Sequence, residues 1–205
     1  MIGIIGKKIG MTAIFNEEGH RVPCTAIEAG PCKVTQVRTE DHDGYNAHQL
    51  AFGEKKEKNT PKALLGHLSK SNATPPEKIM EFRDFELDYS VGDDVKVDVI
   101  NEQGTVDIQG ITIGKGFQGG VKRHGFSGVG GQTHGQKDQA RRGGSIGGAS
   151  DPSRVFKGKK MAGKTGNRRV KIGNLKVVKV VPDKNLIFVK GAVPGKKGSY
   201  LTIEQ

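Results

Sequence analysis

Residues 114–169 constrain this chain more than any other stretch. They hold 16 of its 31 Gly and 13 of its 33 Lys and Arg, with Asp138 and Asp151 as their only acids. Only Phe117, Val121, Phe126, Val129, Ile146, Val155, Phe156 and Met161 are large and apolar there. So few apolar side chains cannot offset the entropy of ordering the segment in water, and by itself it is expected to be mobile. It carries the whole net charge of +11, because the rest of the chain has 20 basic and 20 acidic residues. That balance calls for a polyanionic partner: nucleic acid, an anionic membrane surface or an acidic protein.

The pattern within the segment narrows the choice. Basic clusters alternate with glycine in Lys122-Arg123-His124-Gly125, Arg141-Arg142-Gly143-Gly144 and Lys157-Gly158-Lys159-Lys160. A membrane surface wants an amphipathic helix, which glycine opposes at about 1 kcal/mol per residue. A folded RNA fits better. Glycine lets backbone pass close to crowded phosphates, Lys and Arg neutralise them, and Phe117, Phe126 and Phe156 are suited to stacking on splayed bases. Phosphate contacts are expected from Lys115, Lys122, Arg123, Lys137, Arg141, Arg142, Arg154, Lys157, Lys159, Lys160, Lys164, Arg168 and Arg169. His124 and His134 are expected on phosphate or ribose. With half its residues leading out and half back, the arm has a ceiling of ~90 Å at roughly 3.3 Å per residue.

The flanks read as one β-rich body, residues 1–113 with 170–205. Short β-branched runs between turn residues predict strands at 22–29, 33–38, 47–52, 175–181, 186–190 and 200–203. Val95, Val97 and Val99 alternate with Lys96 and Asp98, which predicts a hairpin with Val106 to Ile113, and Gly110 reads as a bulge. Helix signals at Pro61 to Asn72, with Thr60 as N-cap, and at Pro75 to Arg83 predict a helical insertion over about 60–90. The fold class expected is mainly β: a closed small barrel with a short helical insertion and the long basic extension at 114–169.

Three motifs invite a catalytic reading. Gly158 to Thr165 fits the phosphate-cradling pattern GxxxxGK[ST], with Lys164 and Thr165 in its functional places. A strand must feed that loop and a helix must leave it, and the continuation Gly166 to Gly173 is glycine-bounded and strand-like. Gly114 to Gly119 fits GxGxxG, but the glycines that follow, Gly120, Gly125, Gly128, Gly130, Gly131 and Gly135, are expected to prevent the required helix. His124 and His134 lie near Ser127, Ser145 and Ser150, yet a hydrolase needs an orienting carboxylate in a rigid pocket. A nucleotide hydrolase using Gly158 to Thr165 and a binder of acidic proteins remain the alternatives. No enzyme activity, cofactor, metal or small-molecule substrate is expected.

Cys24 and Cys32 lack zinc-ligand spacing and are expected as reduced, half-buried thiols, and His20, His42, His48 and His67 as surface residues. The N-terminus lacks signal-peptide character, and no apolar stretch approaches the ~20 residues of a membrane span, so a soluble cytoplasmic protein is expected.

Several motifs in order resemble the bacterial type of the large-subunit ribosomal protein L3 family. They are Gly6 to Thr12 through Phe15; Val34 to Val37 with Asp43-Gly44-Tyr45; Gly114 to Arg123; Gly144 to Gly147; Arg154 to Gly163; and Val189 to Gly195 with Gly198-Ser199. The resemblance spans essentially the whole chain. It implies a barrel of the type shared with translation factors and an arm that penetrates large-subunit (23S) rRNA toward the peptidyl transferase centre. It also implies binding early in subunit assembly, alongside neighbouring ribosomal proteins, without catalysis. Lys7 and Lys8, within the N-terminal signature, would join the rRNA contacts. The part nearest the catalytic RNA would be Gly144, Ser145, Ile146, Gly147, Gly148, Ala149, Ser150, Asp151, Pro152, Ser153, Arg154, Val155 and Phe156. Many bacterial members carry a methylated Gln where this chain has Ser150, so no such modification is expected here.

Overall fold

The computed structural model describes residues 2–85 and 88–205. The chain divides into a body, formed by the residues up to Thr112 with Arg169–Gln205, and a glycine-rich unit, Ile113–Arg168.

The body is mainly β. Its strands are β1 (Gly3–Phe15), β2 (Arg21–Ala29), β3 (Cys32–Arg38), β4 (Ala47–Phe52), β5 (Lys78–Arg83), β6 (Asp94–Val95) and β7 (Thr105–Ile111). Two short helices interrupt them, α1 (Glu40–Asp43) and α2 (Lys62–Leu68). Six strands pair antiparallel in a ring: β1 with β2 and with the C-terminal strand Tyr200–Glu204, that strand with β7, β7 with Arg169–Val181, and Leu186–Lys190 bridging back to β2. A second sheet runs β5-β4-β3-β6. One core joins the two sheets, with Ile4, Ile5 and Ile27 packed among Val34, Leu50, Phe82, Ile108, Ile187 and Ile203. Alternation builds it: along β7, Val106, Ile108 and Gly110 are buried while Asp107 and Gln109 are partly solvated.

Several expectations need correction. The segment Pro75 to Arg83 is not helical, because Lys78–Arg83 pairs with β4 from Phe52↔Lys78 to Ala47↔Arg83 and inserts Phe82 into the core. Tertiary pairing overrides a weak helix preference there. The predicted insertion over 60–90 therefore shrinks to α2 and the 3-10 turn Ser69–Ser71; Glu86 and Leu87 lie outside the described residues. Thr60 does not cap α2, whose N-cap is Pro61; its hydroxyl bonds back to the Lys56 carbonyl.

The hairpin of residues 95–99 with β7 does not form. Val95 pairs with Cys32, and Val97–Val99 is a 3-10 turn whose period of three buries Val97 and Ile100. Nor does Gly110 bulge: it pairs with both Val170 and Leu201, and its missing Cβ makes room for the Leu201 side chain. The irregularity sits in the partner strand between Ile172 and Leu175, where Asn174 adopts φ 56° and donates its N–H to the Asp107 carboxylate at 2.9 Å.

β1, where the sequence suggests no strand, packs its two early glycines against the Phe82 ring and the Ile27 side chain. Cys24 and Cys32 are free and fully buried rather than half-buried, and burial pushes the Cys32 thiol up to about 12. His48 is also buried, its ring tilted on Phe85 and its Nε2 3.3 Å from the Tyr89 carbonyl. No helix among the described residues is long and apolar enough to cross a membrane.

Candidate nucleic-acid interface

The glycine-rich unit begins where β7 ends and finishes where the next body strand begins, and Ile111 and Arg169 are direct partners across that ladder. Its elements are β8 (Phe117–Gln118), α3 (Gly120–His124), a 3-10 turn at Gln136–Gln139 and β9 (Gly163–Lys164). The body then resumes with β10 (Arg169–Val181), β11 (Leu186–Lys190) and β12 (Tyr200–Glu204).

Main-chain bonds hold the base of the unit. β8 pairs with β9, Lys115 donates its N–H to the Thr165 carbonyl at 2.9 Å, and Thr165 returns one to the Gly116 carbonyl at 3.0 Å. A helix does follow Gly114 to Gly119, contrary to expectation. It lasts five residues, because Gly125 takes the left-handed conformation at φ 73° and donates its N–H back to the Gly120 and Val121 carbonyls. That single turn leaves from a two-residue strand inside the motif, so no dinucleotide fold surrounds it. Thr165 is followed by irregular chain and then β10, so the GxxxxGK[ST] match lacks the helix that a phosphate loop requires.

No residue of 113–168 is buried. Phe117 is 71% exposed, Phe156 58% and Ile146 53%, values that leave no apolar core to order the unit. Specific contacts stand in for one. Arg123 donates to the Met161 carbonyl at 2.7 Å and His124 Nε2 lies 2.9 Å from the same oxygen, tying α3 to the returning limb. The Arg154 guanidinium stands 5.3 Å over the Phe156 ring. Gly128, at φ 72°, brings its Cα so close to the Ala140 carbonyl that no Cβ fits.

Most of the other basic side chains are left to solvent. Among the described residues Lys115, Lys122, Lys137, Arg141, Arg142, Lys157, Lys159, Lys160 and Lys164 are exposed and make no ion pair. Arg168, Arg169 and His134 are exposed as well, His134 with φ 50°. Every residue of 144–156 is exposed. With so many cations and two acids, the unit has far more positive charge than its own chain can neutralise.

Lys7 and Lys8 sit differently, on β1 in the body. Lys7 lies 3.4 Å from the Glu77 carboxylate and 5.7 Å from the centre of the Tyr200 ring. Lys8 donates to the Val193 and Gly195 carbonyls, both at 2.8 Å, and partial burial lowers its pKa. Its ammonium spends two of three donors on its own chain. The carbonyl of Met161 had no signal in the sequence, since a main-chain acceptor leaves no mark on residue identity. No group of His, Cys, Asp and Glu among the described residues is placed to hold a metal ion.

The family model described as Ribosomal protein L3 matches residues 78–184, which takes in the whole glycine-rich unit and the strands on either side of it. The large ribosomal subunit protein uL3 of Salinibacter ruber is 53% identical over 204 residues, covering 99% of this chain and 98% of that protein. A full-length match at that identity, together with the family model, establishes that this chain belongs to the ribosomal protein L3 family.

Proposed function

We propose that this chain is a structural constituent of the large ribosomal subunit in the cytoplasm, bound directly to 23S rRNA through the glycine-rich unit. The family is one of structural ribosomal proteins, and the protein is not an enzyme. The observation that carries the reading is the unit itself, with 12 Lys and Arg against Asp138 and Asp151, most of them unpaired, and no buried residue. Such a segment is stabilised by a polyanion that supplies both counter-charge and surface. In this reading the basic residues from Lys115 to Arg169 contact phosphate, with His124 and His134 beside them and Lys7 and Lys8 at the body. Residues 144–156 support the peptidyl transferase centre. The six-stranded ring serves as a small closed barrel of the translation-factor type, which docks early in assembly beside other ribosomal proteins.

Filter binding of the full chain to a 23S rRNA fragment across a salt series tests this. If about ten cations meet phosphate, log affinity falls against log salt with a slope of roughly −7 to −9. A slope near −1, or binding of an acidic protein to the glycine-rich unit with which the RNA does not compete, contradicts it.

A further inference from the structure

We propose that the glycine-rich unit contains a pocket for a single unstacked nucleotide, a site that rests on the RNA-binding reading and sharpens it. Three stretches of chain, 119–126, 141–146 and 158–162, surround a cleft of about 680 Å³. That volume lies within the range of small-molecule sites and holds a nucleoside monophosphate with room to spare.

Its chemistry divides into two parts. Phe126 supplies an aromatic surface, with Ile146 and Met161 also lining the space. Arg141, Lys159 and Lys160 supply charge, and no acid lines the cleft. A flat apolar surface beside three cations matches a base next to its own phosphate. A cleft of the body beside Pro31 and Phe52 differs in kind, because three acids, Glu28, Glu54 and Asp94, line it against the single cation Lys33.

The site is also built. Arg123 and His124 fix the first stretch to the third through the Met161 carbonyl, and the His124 ring lies 5.8 Å from that of Phe126. Phe126 is held between Gly120 and Gly143, where added Cβ atoms would stand 2.8 Å and 3.1 Å from the ring. Side chains at those two positions would crowd the ring that the base needs. The first half of Gly158 to Thr165 thus contributes cations to a nucleotide site without forming a phosphate loop.

One ligand chemistry has two sources here, an extruded nucleotide of RNA and a free nucleotide, and the geometry favours the former because the cleft is open and its cations continue along the chain on both sides. The test compares two RNA hairpins of equal length and charge, one fully paired and one with a single-nucleotide bulge carrying 2-aminopurine, each titrated with the full chain; AMP and ATP are titrated separately. Stacking of one base is worth roughly 1–3 kcal/mol, so the bulged hairpin is expected to bind about tenfold tighter, with its 2-aminopurine quenched on binding. In Phe126→Leu the ratio of the two affinities is expected to fall to about one. Equal binding of both hairpins with 2-aminopurine left bright overturns the pocket while leaving the RNA-binding reading intact. Failure of both hairpins to bind overturns that reading. Saturable ATP or AMP binding that Phe126→Leu abolishes, without any preference for the bulge, overturns the RNA source. Should Phe126→Leu fail to fold, the quenching in the unaltered protein decides.

Discussion

The body and the glycine-rich unit belong to one chain but meet the entropy of ordering in opposite ways. In the body, Ile4, Ile27, Leu50, Ile108 and Ile203 are fully buried, and the strands pair on both sides around the ring. Each such side chain contributes about 1.5–3 kcal/mol by leaving water. In the unit nothing is buried, and shape comes from turns, a five-residue helix, two-residue strands and contacts such as Arg123 to Met161. Hydrogen bonds of that kind net only about 0.5–1.5 kcal/mol each, and exposed ones less. Geometry can therefore be specified without burial, while stability has to come from a partner. The charges agree: the body's basic and acidic residues nearly cancel, and the unit's do not.

The sharpest way to break this contrast is to separate the two regions. Because Ile111 and Arg169 face each other across a ladder, an Asn-Gly turn in place of residues 112–168 closes the hairpin with little strain. The truncated body is expected to melt as cooperatively as the full chain in calorimetry, and to lose on the order of 10³-fold or more in affinity for the rRNA fragment at physiological salt. A truncated chain that does not fold would show that the body depends on the unit. Next in size, Ile108→Ala should cost the body about 2–5 kcal/mol in urea unfolding and leave the salt slope of RNA binding unchanged. Conversely, Arg141→Gln with Arg142→Gln should leave the urea midpoint in place and reduce the salt slope by about 1 per residue.

The smallest effect concerns pH. The Asn174 N–H, and then Lys171, hold the Asp107 carboxyl below the usual carboxylate range. A depressed folded pKa stabilises at pH values above the ordinary Asp value of about 3.9 and ceases to do so as pH falls through the folded value. Asp107→Asn should thus cost under about 1 kcal/mol near neutrality, and the difference should fade below about pH 4 in urea titrations. RNA binding should not report it, since Asp107 lies in the body.

How much could be read in advance follows the same division. Strands β4 and β11 were legible because they are short β-branched or apolar runs between turns, and β8 to β9 were not, because a two-residue strand has no period. β1 escaped notice since Gly3, Gly6 and Gly10 dilute its pattern, and their role appears only once Phe82 and Ile27 are in place. Lys78 to Arg83 read as helix until β4 supplied an edge to pair with. The excess of basic residues in the glycine-rich unit was legible as a set from composition alone. Their arrangement was not, because it depends on left-handed glycines such as Gly125 and Gly128 and on a carbonyl at Met161.

Amide hydrogen exchange on the full chain, measured residue by residue with and without the 23S rRNA fragment, addresses the central contrast most directly. The amides of β4, β7 and β12 should be protected to the global unfolding free energy in both states, while those of 113–168 exchange rapidly in the free protein and become protected on RNA. Slow exchange throughout 113–168 in the absence of RNA would contradict the account.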